Sequence, residues 1–296
     1  MKEKLFSKYQ ILANAVMIIW TLAIILPFIL LFMSSITDEN TLVANGYSFF
    51  PKKFSLASYS YIIKSGGQIL KAYGVSIGVT VVGTLLNVLL SALMAYPLSV
   101  KNLPGRNVMM FFVFFTMLFN GGIVPSYIMW TGTFHIKDTI FAQLLPNFLL
   151  SAWNVMMIRT YFTTSIPDGL YEAAEIDGAS QFTIFWKIVL PLGKPILVTM
   201  GTFAGLAYWN DWTNGLYYIV KNTGLYNVQN LLNQMVQNIQ FLTQSSNSNV
   251  TAAASTIPAT GIQMAIAFVA ILPIMLIFPS FQKYYAKGIA LGAVKG

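Results

Sequence analysis

The sequence predicts an all-α polytopic membrane protein with six transmembrane helices and both termini on the cytoplasmic side. Three observations carry that prediction. Six stretches stay apolar for about the 20 residues that a helix needs to cross the hydrocarbon. Only 9% of the chain is charged, against 56% hydrophobic, where an ordinary soluble domain carries about 25% charged residues. Lys and Arg are also distributed unevenly between alternate connecting segments. The net charge of +8 therefore reads as the cytoplasmic Lys/Arg excess that orients a membrane protein, and nucleic acid is not an expected partner.

The first span is Ile11–Met33, preceded by Lys2, Lys4 and Lys8. It is longer than the 7–15 apolar residues of a signal peptide and no small-x-small cleavage site follows, so it is expected to stay as a helix. Residues 1–34 thus form a tail and first span, and 35–71 an outer loop with Asp38, Glu39 and a Tyr/Ser-rich end. Five more spans fall within a core of residues 72–282: Ala72–Val100, Val108–Trp130, Ile140–Tyr161, Ile188–Tyr208 and Ile257–Phe281. Lys194 sits near the cytoplasmic end of the fifth, where it can snorkel. Pro27, Pro97, Pro125, Pro146, Pro195 and Pro273 interrupt or edge the spans, which neighbouring helices in a bundle tolerate. Residues 283–296 are a cytoplasmic tail. With the N-terminus inside, eleven basic residues lie in cytoplasmic segments and six outside, the first outer loop being the weak point.

The second long outer segment, 211–256, has no charge between Lys221 and Lys283 and is rich in Asn, Gln and Ser. Val228, Leu231, Leu232, Met235, Val236, Ile239 and Leu242 recur at helical spacing, predicting an amphipathic helix with an uncharged amide face followed by a flexible "TQSSNSN". Gly74–Gly78 and Gly201–Gly205 are both G-x-x-x-G, a pattern of close helix packing. No internal repeat is visible.

Enzyme chemistry has little to work with. The chain has no cysteine, and its one histidine, His135, stands in an outer turn beside Lys137 and Asp138. Neither H-E-x-x-H nor G-x-x-x-x-G-K-[ST] occurs; "LGKP" lacks both the leading Gly and the Ser/Thr. No metal site and no catalytic residue are expected. The spans hold no Asp or Glu near their centres, whereas an ion-coupled transporter generally needs one. Their polar residues are neutral: Asn87, Asn120, Gln143, Asn147, Asn154, Asn210 and Gln263. Such a lining suits a neutral, hydroxyl-rich solute whose uptake is driven from elsewhere.

Four of the nine acids gather at one cytoplasmic loop, 165–191: Asp168, Glu172, Glu175 and Asp177. Ser165 and Asp168 read as a capping box, with Leu170, Ala173, Ala174 and Ile176 as the apolar positions of a short helix. Gly178 is placed to end it in a left-handed turn. Ser180 can cap a second helix through Phe182, Phe185 and Ile188, which Pro191 redirects into the next span. A solvated interfacial loop remains the bland alternative.

The spacing Glu172-Ala173-Ala174, Gly178, Ile188, Leu190-Pro191 resembles the "EAA" coupling loop of binding-protein-dependent ABC importer permeases. "NGGIVPSYI" at 120–128, "YWNDW" at 208–212 and the ending "KYYAKGIALGAVKG" resemble the maltose-type carbohydrate permeases, with the closest look to those for complex oligosaccharides. The resemblance implies a type I importer permease in a bacterial cell membrane, paired with a second, homologous permease. It implies two ATP-binding subunits that hold ATP-Mg, no cofactor on this chain, and an extracellular sugar-binding lipoprotein that delivers an oligosaccharide. Glu172, Ala173, Ala174, Asp177, Gly178, Ile188, Leu190 and Pro191 would couple to the ATPase, and the tail from Lys283 would reach it. Asn120, Tyr208, Trp209, Asn210, Asp211 and Trp212 are the expected substrate path, since amides and aromatic faces suit a pyranose. Gln234, Gln237, Asn238 and Gln240 would meet the binding protein. A stand-alone secondary transporter or channel for a neutral polar solute is the alternative, and a non-transport membrane scaffold a third reading.

Overall fold

The structure, a computed structural model, describes the backbone of residues 8–64, 66–244 and 259–293. Side chains of residues 8, 66, 239, 240, 242–244, 259, 278 and 280–293 are outside that description. The "TQSSNSN" expectation, the side chain of Gln240 and those of the tail from Lys283 therefore lie outside the described residues, beyond the helical backbone that runs to residue 293.

Every described element is helical, apart from a single antiparallel bridge between Thr37 and Phe54. The helices are α1 (Lys8–Ser35), α2 (Glu39–Asn45), α3 (Ala57–Lys64), α4 (Gly66–Ser99), α5 (Arg106–Leu118) and α6 (Ile123–Ile128). They continue with α7 (Phe141–Leu144), α8 (Ala152–Ser165), α9 (Asp168–Ile176), α10 (Gln181–Ile184), α11 (Leu190–Leu192), α12 (Lys194–Trp209), α13 (Thr213–Tyr218), α14 (Val228–Gln244) and α15 (Ala259–Ala293). π turns extend α6 through Met129–Thr133 and join α10 to α11 through Phe185–Val189.

By length and apolarity, three stretches can each cross a membrane as one helix: Tyr9–Ser35, Gly67–Ser99 and Thr260–Ile277. Pro27, Pro97 and Pro273 stay inside them without ending them. Two bent helix pairs are long and apolar enough only when each is taken together. Arg106–Leu118 and Ile123–Thr133 meet at 109°, and Gln181–Leu192 and Lys194–Trp209 at 78°. The fourth expected span, Ile140–Tyr161, is not a continuous helix. It consists of α7, an unwound stretch and the 14-residue α8. Pro146 has no N–H to donate and Asn147 adopts φ +67°, so the helical ladder cannot run through them.

The chain divides into two compact units, Met1–Ile69 with Leu232–Pro273, and Leu70–Leu231 with Ile274–Gly296. In the first, the segment after α1 folds back on itself through the Thr37–Phe54 bridge and an ion pair between Lys53 and Asp38 at 3.2 Å. Ser35 shares a hydrogen bond with the Tyr59 hydroxyl at 2.8 Å, and the Phe32 and Phe268 rings sit 4.9 Å apart.

In the second unit α12 packs along α4 through small residues. A Cβ on Gly201 or Gly205 would meet Val88 Cγ2 or Thr84 Oγ1 at 3.3 Å, and Gly83 leaves room for the Tyr208 ring. The close-packing expectation thus holds at Gly201–Gly205. At Gly74–Gly78 no described part of this chain comes within 4 Å of such a Cβ.

The main apolar core gathers Phe162, Ile158 and Val155 of α8, Leu98 and Ala95 of α4, and Ile184, Phe185 and Val189. Full burial of such side chains is worth about 1.5–3 kcal/mol each. An apolar cavity of about 480 Å³ opens beside this core, lined by Met94, Met109, Phe112, Thr116, Leu150 and Val155 among others.

Candidate coupling surface and solute mouth

The acidic loop folds as a helix, a turn and a second helix. Ile166 and Pro167 are extended, and α9 starts at Asp168. The expected capping box does not form. Ser165 is still the last residue of α8, and Asp168, already in the first turn of α9, pairs with Lys101 instead. Both partners are more than half exposed, so that pair contributes little.

The end of α9 follows the sequence reading closely. Gly178 has φ +73°. Its N–H donates to Glu175 O at 3.0 Å, and Ala179 N–H donates to Ala174 O at 2.9 Å. These two bonds are the Schellman pattern, which needs a left-handed residue at Gly178. Ser180 then caps α10, its Oγ accepting the Thr183 N–H at 3.2 Å. Gln181 ties the two helices together, donating to Glu175 Oε1 at 2.9 Å and accepting from the Tyr96 hydroxyl.

One side of this assembly faces the core through Ala174, Ile184, Phe185 and Val189, while Tyr171 stacks on Tyr96 at 6.4 Å. Burial raises the Tyr171 phenol pKa. The chain turns at Gly193, where a Cβ would come within 2.5 Å of the Phe162 ring and 2.9 Å of Val189 O. That turn was expected two residues earlier, at Pro191. Pro191 instead lies within α11, where a helix start tolerates it.

The other side is exposed and mixed in character. Glu172, Ala173, Asp177, Gly178 and Pro191 face solvent, whereas Ile188 and Leu190 are half-buried against the core. Ile176 is 85% exposed and Phe182 68%, with Leu170 and Trp186 also open. Leu170 and Ile176 were expected as apolar positions of a short helix, and the open apolar surface they form with Phe182 and Trp186 was not singled out from sequence. The helical period was right, but α9 is only nine residues long and touches the core mainly through Tyr171 and Ala174.

At the far end of α12 the "YWNDW" residues separate by environment. Tyr208 is 1% exposed, donates its hydroxyl to Leu144 O at 2.9 Å and packs on Phe148 at 5.4 Å. Trp209 is buried with its ring 6.4 Å from Tyr73. Asn210 is exposed and donates back to Leu206 O at 2.9 Å. Asp211 is buried and starts α13: its Oδ1 accepts from Thr213 N, Thr213 Oγ1 and Asn214 N. Burial pushes the Asp211 carboxyl pKa up, against those hydrogen bonds. Trp212 is exposed and its carbonyl accepts from Asn230. Asn120 stands at the break between α5 and α6. Its Oδ1 accepts the Gly122 N–H at 2.9 Å, and Gly122 takes φ +84°.

The buried amides serve the backbone. Asn87 donates to Phe148 O at 2.6 Å and accepts from Asn154 at 2.7 Å. Gln143, fully buried, donates to Leu225 O and to Asn230 Oδ1, both at 3.2 Å. Asn214 donates to Pro146 O at 3.1 Å. Asn87, Gln143 and Asn154, expected to line a solute path, thus satisfy groups around the unwound fourth span. Asn227, Asn230 and Asn214 complete this network and were not singled out from sequence. Their signal was the Pro146-Asn147 pair, which frees backbone carbonyls deep in the chain.

Asp138, at φ +58°, accepts the N–H groups of Val220, Lys221 and Asn222 at 2.7, 2.7 and 3.2 Å. The bond from Lys221, then those from Asn222 and Val220, hold its carboxyl below the usual carboxylate pKa. In α14, Val228 and Leu231 are buried while Gln237 and Asn238 are exposed and Gln234 is intermediate, as an amphipathic helix requires. Among the described residues no group of three or more His, Asp or Glu is placed to hold a metal.

Residues 72–291 match the family described as the binding-protein-dependent transport system inner membrane component. The chain belongs to that family. This transport component is 36% identical over 296 residues to a polygalacturonan/rhamnogalacturonan transport system permease protein, YtcP, of Bacillus subtilis (strain 168), covering all of both chains. It is also 36% identical to protein LplC of the same organism, over 92% of this chain and 90% of that one. Among solved structures, it superposes with a TM-score of 0.79 and 26% identity on a chain of a bacterial ABC transporter involved in the import of the acidic polysaccharide alginate. That match covers 96% of this chain and all of the other. The transport component therefore has the type I importer permease fold and is a multi-pass protein of the bacterial plasma membrane. Members of this family are the permease subunits of ABC importers and are not themselves catalytic.

Proposed function

We propose that this permease subunit imports an oligosaccharide, delivered by an extracellular solute-binding lipoprotein, with a second homologous permease beside it and two ATP-binding subunits below. The observation that carries the reading is the exposed face of 168–191. It exposes Glu172 and Asp177 together with Ile176, Phe182 and Trp186 on one helix-turn-helix. Apolar groups this open on a short element, whose turn is held by the Gly178 and Ser180 hydrogen bonds, suit a protein partner, and the acids suit basic residues on it. ATP and Mg²⁺ belong on that partner. The loop faces the cytoplasm with both termini.

The carbohydrate assignment draws on relatives named for polygalacturonan/rhamnogalacturonan and for arabinooligosaccharides. In this chain Asn210, Trp212 and Asn120 are the exposed candidates for the solute path, with Tyr208, Trp209 and Asp211 supporting them from behind. The amide face of Gln234, Gln237, Asn238 and Gln240 meets the binding protein.

The test is the complete transporter in proteoliposomes, with ATPase stimulation and uptake measured side by side. Glu172→Lys is expected to insert normally and lose ATPase docking, while Asn210→Leu keeps docking and loses uptake. ATPase stimulation at the wild-type level in the Glu172→Lys complex would remove the coupling role.

A further inference from the structure

The apolar cavity beside the main core has an open side and a charged foot. Its walls come from the end of α4, from α5 and from the start of α8, through Met94, Met109, Phe112, Leu150 and Val155 among others. Thr116 is its one polar lining side chain, and that hydroxyl already donates to Val113 O at 2.8 Å. A hydroxyl-rich solute would leave its polar groups unmet there. Met94, Met109, Phe112 and Leu150 are exposed, so the cavity is a groove and not a sealed void. Two arginines stand one helical turn beyond this lining. Arg106 starts α5, three residues before Met109 and seven before Val113, on the same face. Arg159 follows Val155 by four residues in α8, and its Nε donates to the carbonyl of Leu98, another lining residue, at 3.2 Å. Neither has an ion pair among the described residues, and Arg106 Nε is buried with no hydrogen-bond partner among them. Lys101, in the turn before α5, is already paired with Asp168. α5 itself begins after Gly105 with no side-chain cap, which leaves first-turn N–H groups open to an outside acceptor.

We propose that this groove is a site for one anionic phospholipid, with an acyl chain along its walls and the phosphate held at its foot by Arg106 and Arg159. An apolar groove in a bilayer is open to lipid tails, but tails are as apolar as its walls. The tail therefore contributes fit and little driving force. Selection falls to the foot, where a guanidinium lacks an anion and a lipid phosphate can accept two of its N–H bonds at once. Basic groups between membrane helices at the cytoplasmic surface select headgroups in this way. The foot is the end of the groove nearer the acidic loop, so in the proposed topology the lipid belongs to the cytoplasmic leaflet. A protein segment would need an apolar stretch matched to the groove and an acid at its foot. The lipid brings both in one molecule.

The experiment uses the transporter as extracted from the membrane, with the subunits that copurify, reconstituted in nanodiscs. The probe is phosphatidylglycerol with a photoreactive diazirine in one acyl chain, and its reference is phosphatidylcholine with the same chains. After photolysis, mass spectrometry maps the labelled peptides and gives the ratio of anionic to zwitterionic labelling. The lining residues of α5 and α8 should label with the anionic probe and far less with the zwitterionic one, since the two share every apolar contact.

Arg106→Gln is expected to cut the phosphatidylglycerol preference roughly fivefold, the factor that about 1 kcal/mol for one basic residue near an anionic membrane surface represents. Arg106→Lys, which keeps the charge and loses the planar fork, is expected to cut it less. Arg159→Gln should act in the same direction, and the two together more than either alone. Ala152→Phe, which fills the groove from α8, should lose the labelling while both charges remain. Equal labelling by the two probes in the wild type overturns the proposal, as does a preference that survives Arg106→Gln and Arg159→Gln together. Lining residues that label only after the copurifying subunits are stripped away belong to a protein interface, which overturns it too. Should Arg106→Gln fail to assemble, Ala152→Phe decides alone: an assembled complex of that variant that still labels along the groove overturns the proposal.

Discussion

The pair Asn87 and Asn154 offers the sharpest test of how the unwound fourth span is held. Asn87→Leu is nearly isosteric but strands two groups, the Phe148 carbonyl and the Asn154 amide that donates to Asn87. Asn154→Leu strands one, the Asn87 side-chain oxygen. A buried group left unmet costs about 1–3 kcal/mol in soluble proteins, whereas side-chain bonds between membrane helices average nearer about 0.6 kcal/mol. Both residues are 5% exposed or less, so we expect about 1.5–3 kcal/mol for Asn87→Leu and about half that for Asn154→Leu. The double variant strands only the Phe148 carbonyl, one group where the two single variants together strand three, and should cost less than the sum by about 1.5–3 kcal/mol. Unfolding of the purified permease by SDS titration in mixed micelles measures all three. Costs that simply add, or single variants indistinguishable from wild type, would refute the structural assignment. A loss of uptake at unchanged stability would return these amides to the solute path.

Three further outcomes are expected. Gly178→Val should cost at least about 1 kcal/mol, because a β-branched residue is strained at φ +73°, and co-purification of the ATPase should fall while membrane insertion does not. Cysteines introduced singly at Ser48, Thr223 and Ser180, all exposed, should split under an impermeant thiol reagent, the first two labelling from outside and the third from inside; outside labelling at Ser180 would overturn the topology. Asp138 has a depressed carboxyl pKa, so the stability it supplies is fully present above the ordinary value of 3.8 and is lost only as pH falls through its lower folded value. Exchange protection of the Val220, Lys221 and Asn222 amides should therefore persist down to the ordinary carboxylate range, and protection lost well above it would count against the three hydrogen bonds.

Much of the coupling loop was legible in sequence because its determinants are local. Gly178 ends a helix and Ser180 starts the next through bonds that reach at most five residues along the chain. Its capping box was misread because Ser165 competes with the end of α8, where a continuing helix takes precedence over an isolated cap. The segments between α1 and α4 were legible only in outline: α2 and α3 are too short to carry a clear period.

Composition alone determined the membrane class, since 9% charge cannot solvate a surface at any fold, and the local turn chemistry determined the shape of the acidic loop. Only the tertiary structure decided which polar residues face inward. Asn87, Gln143 and Asn154 look like a hydrophilic path when read along helices, yet each is consumed by a partner at least 61 residues away. Glu39 looks like one acid in an outer loop, yet it holds amides 221 and 222 residues further on. The physical reason is the cost of an unmet polar group in an apolar interior. Wherever Pro146 or a helix end frees a backbone group, some amide or carboxylate must reach it, and the sequence does not say which.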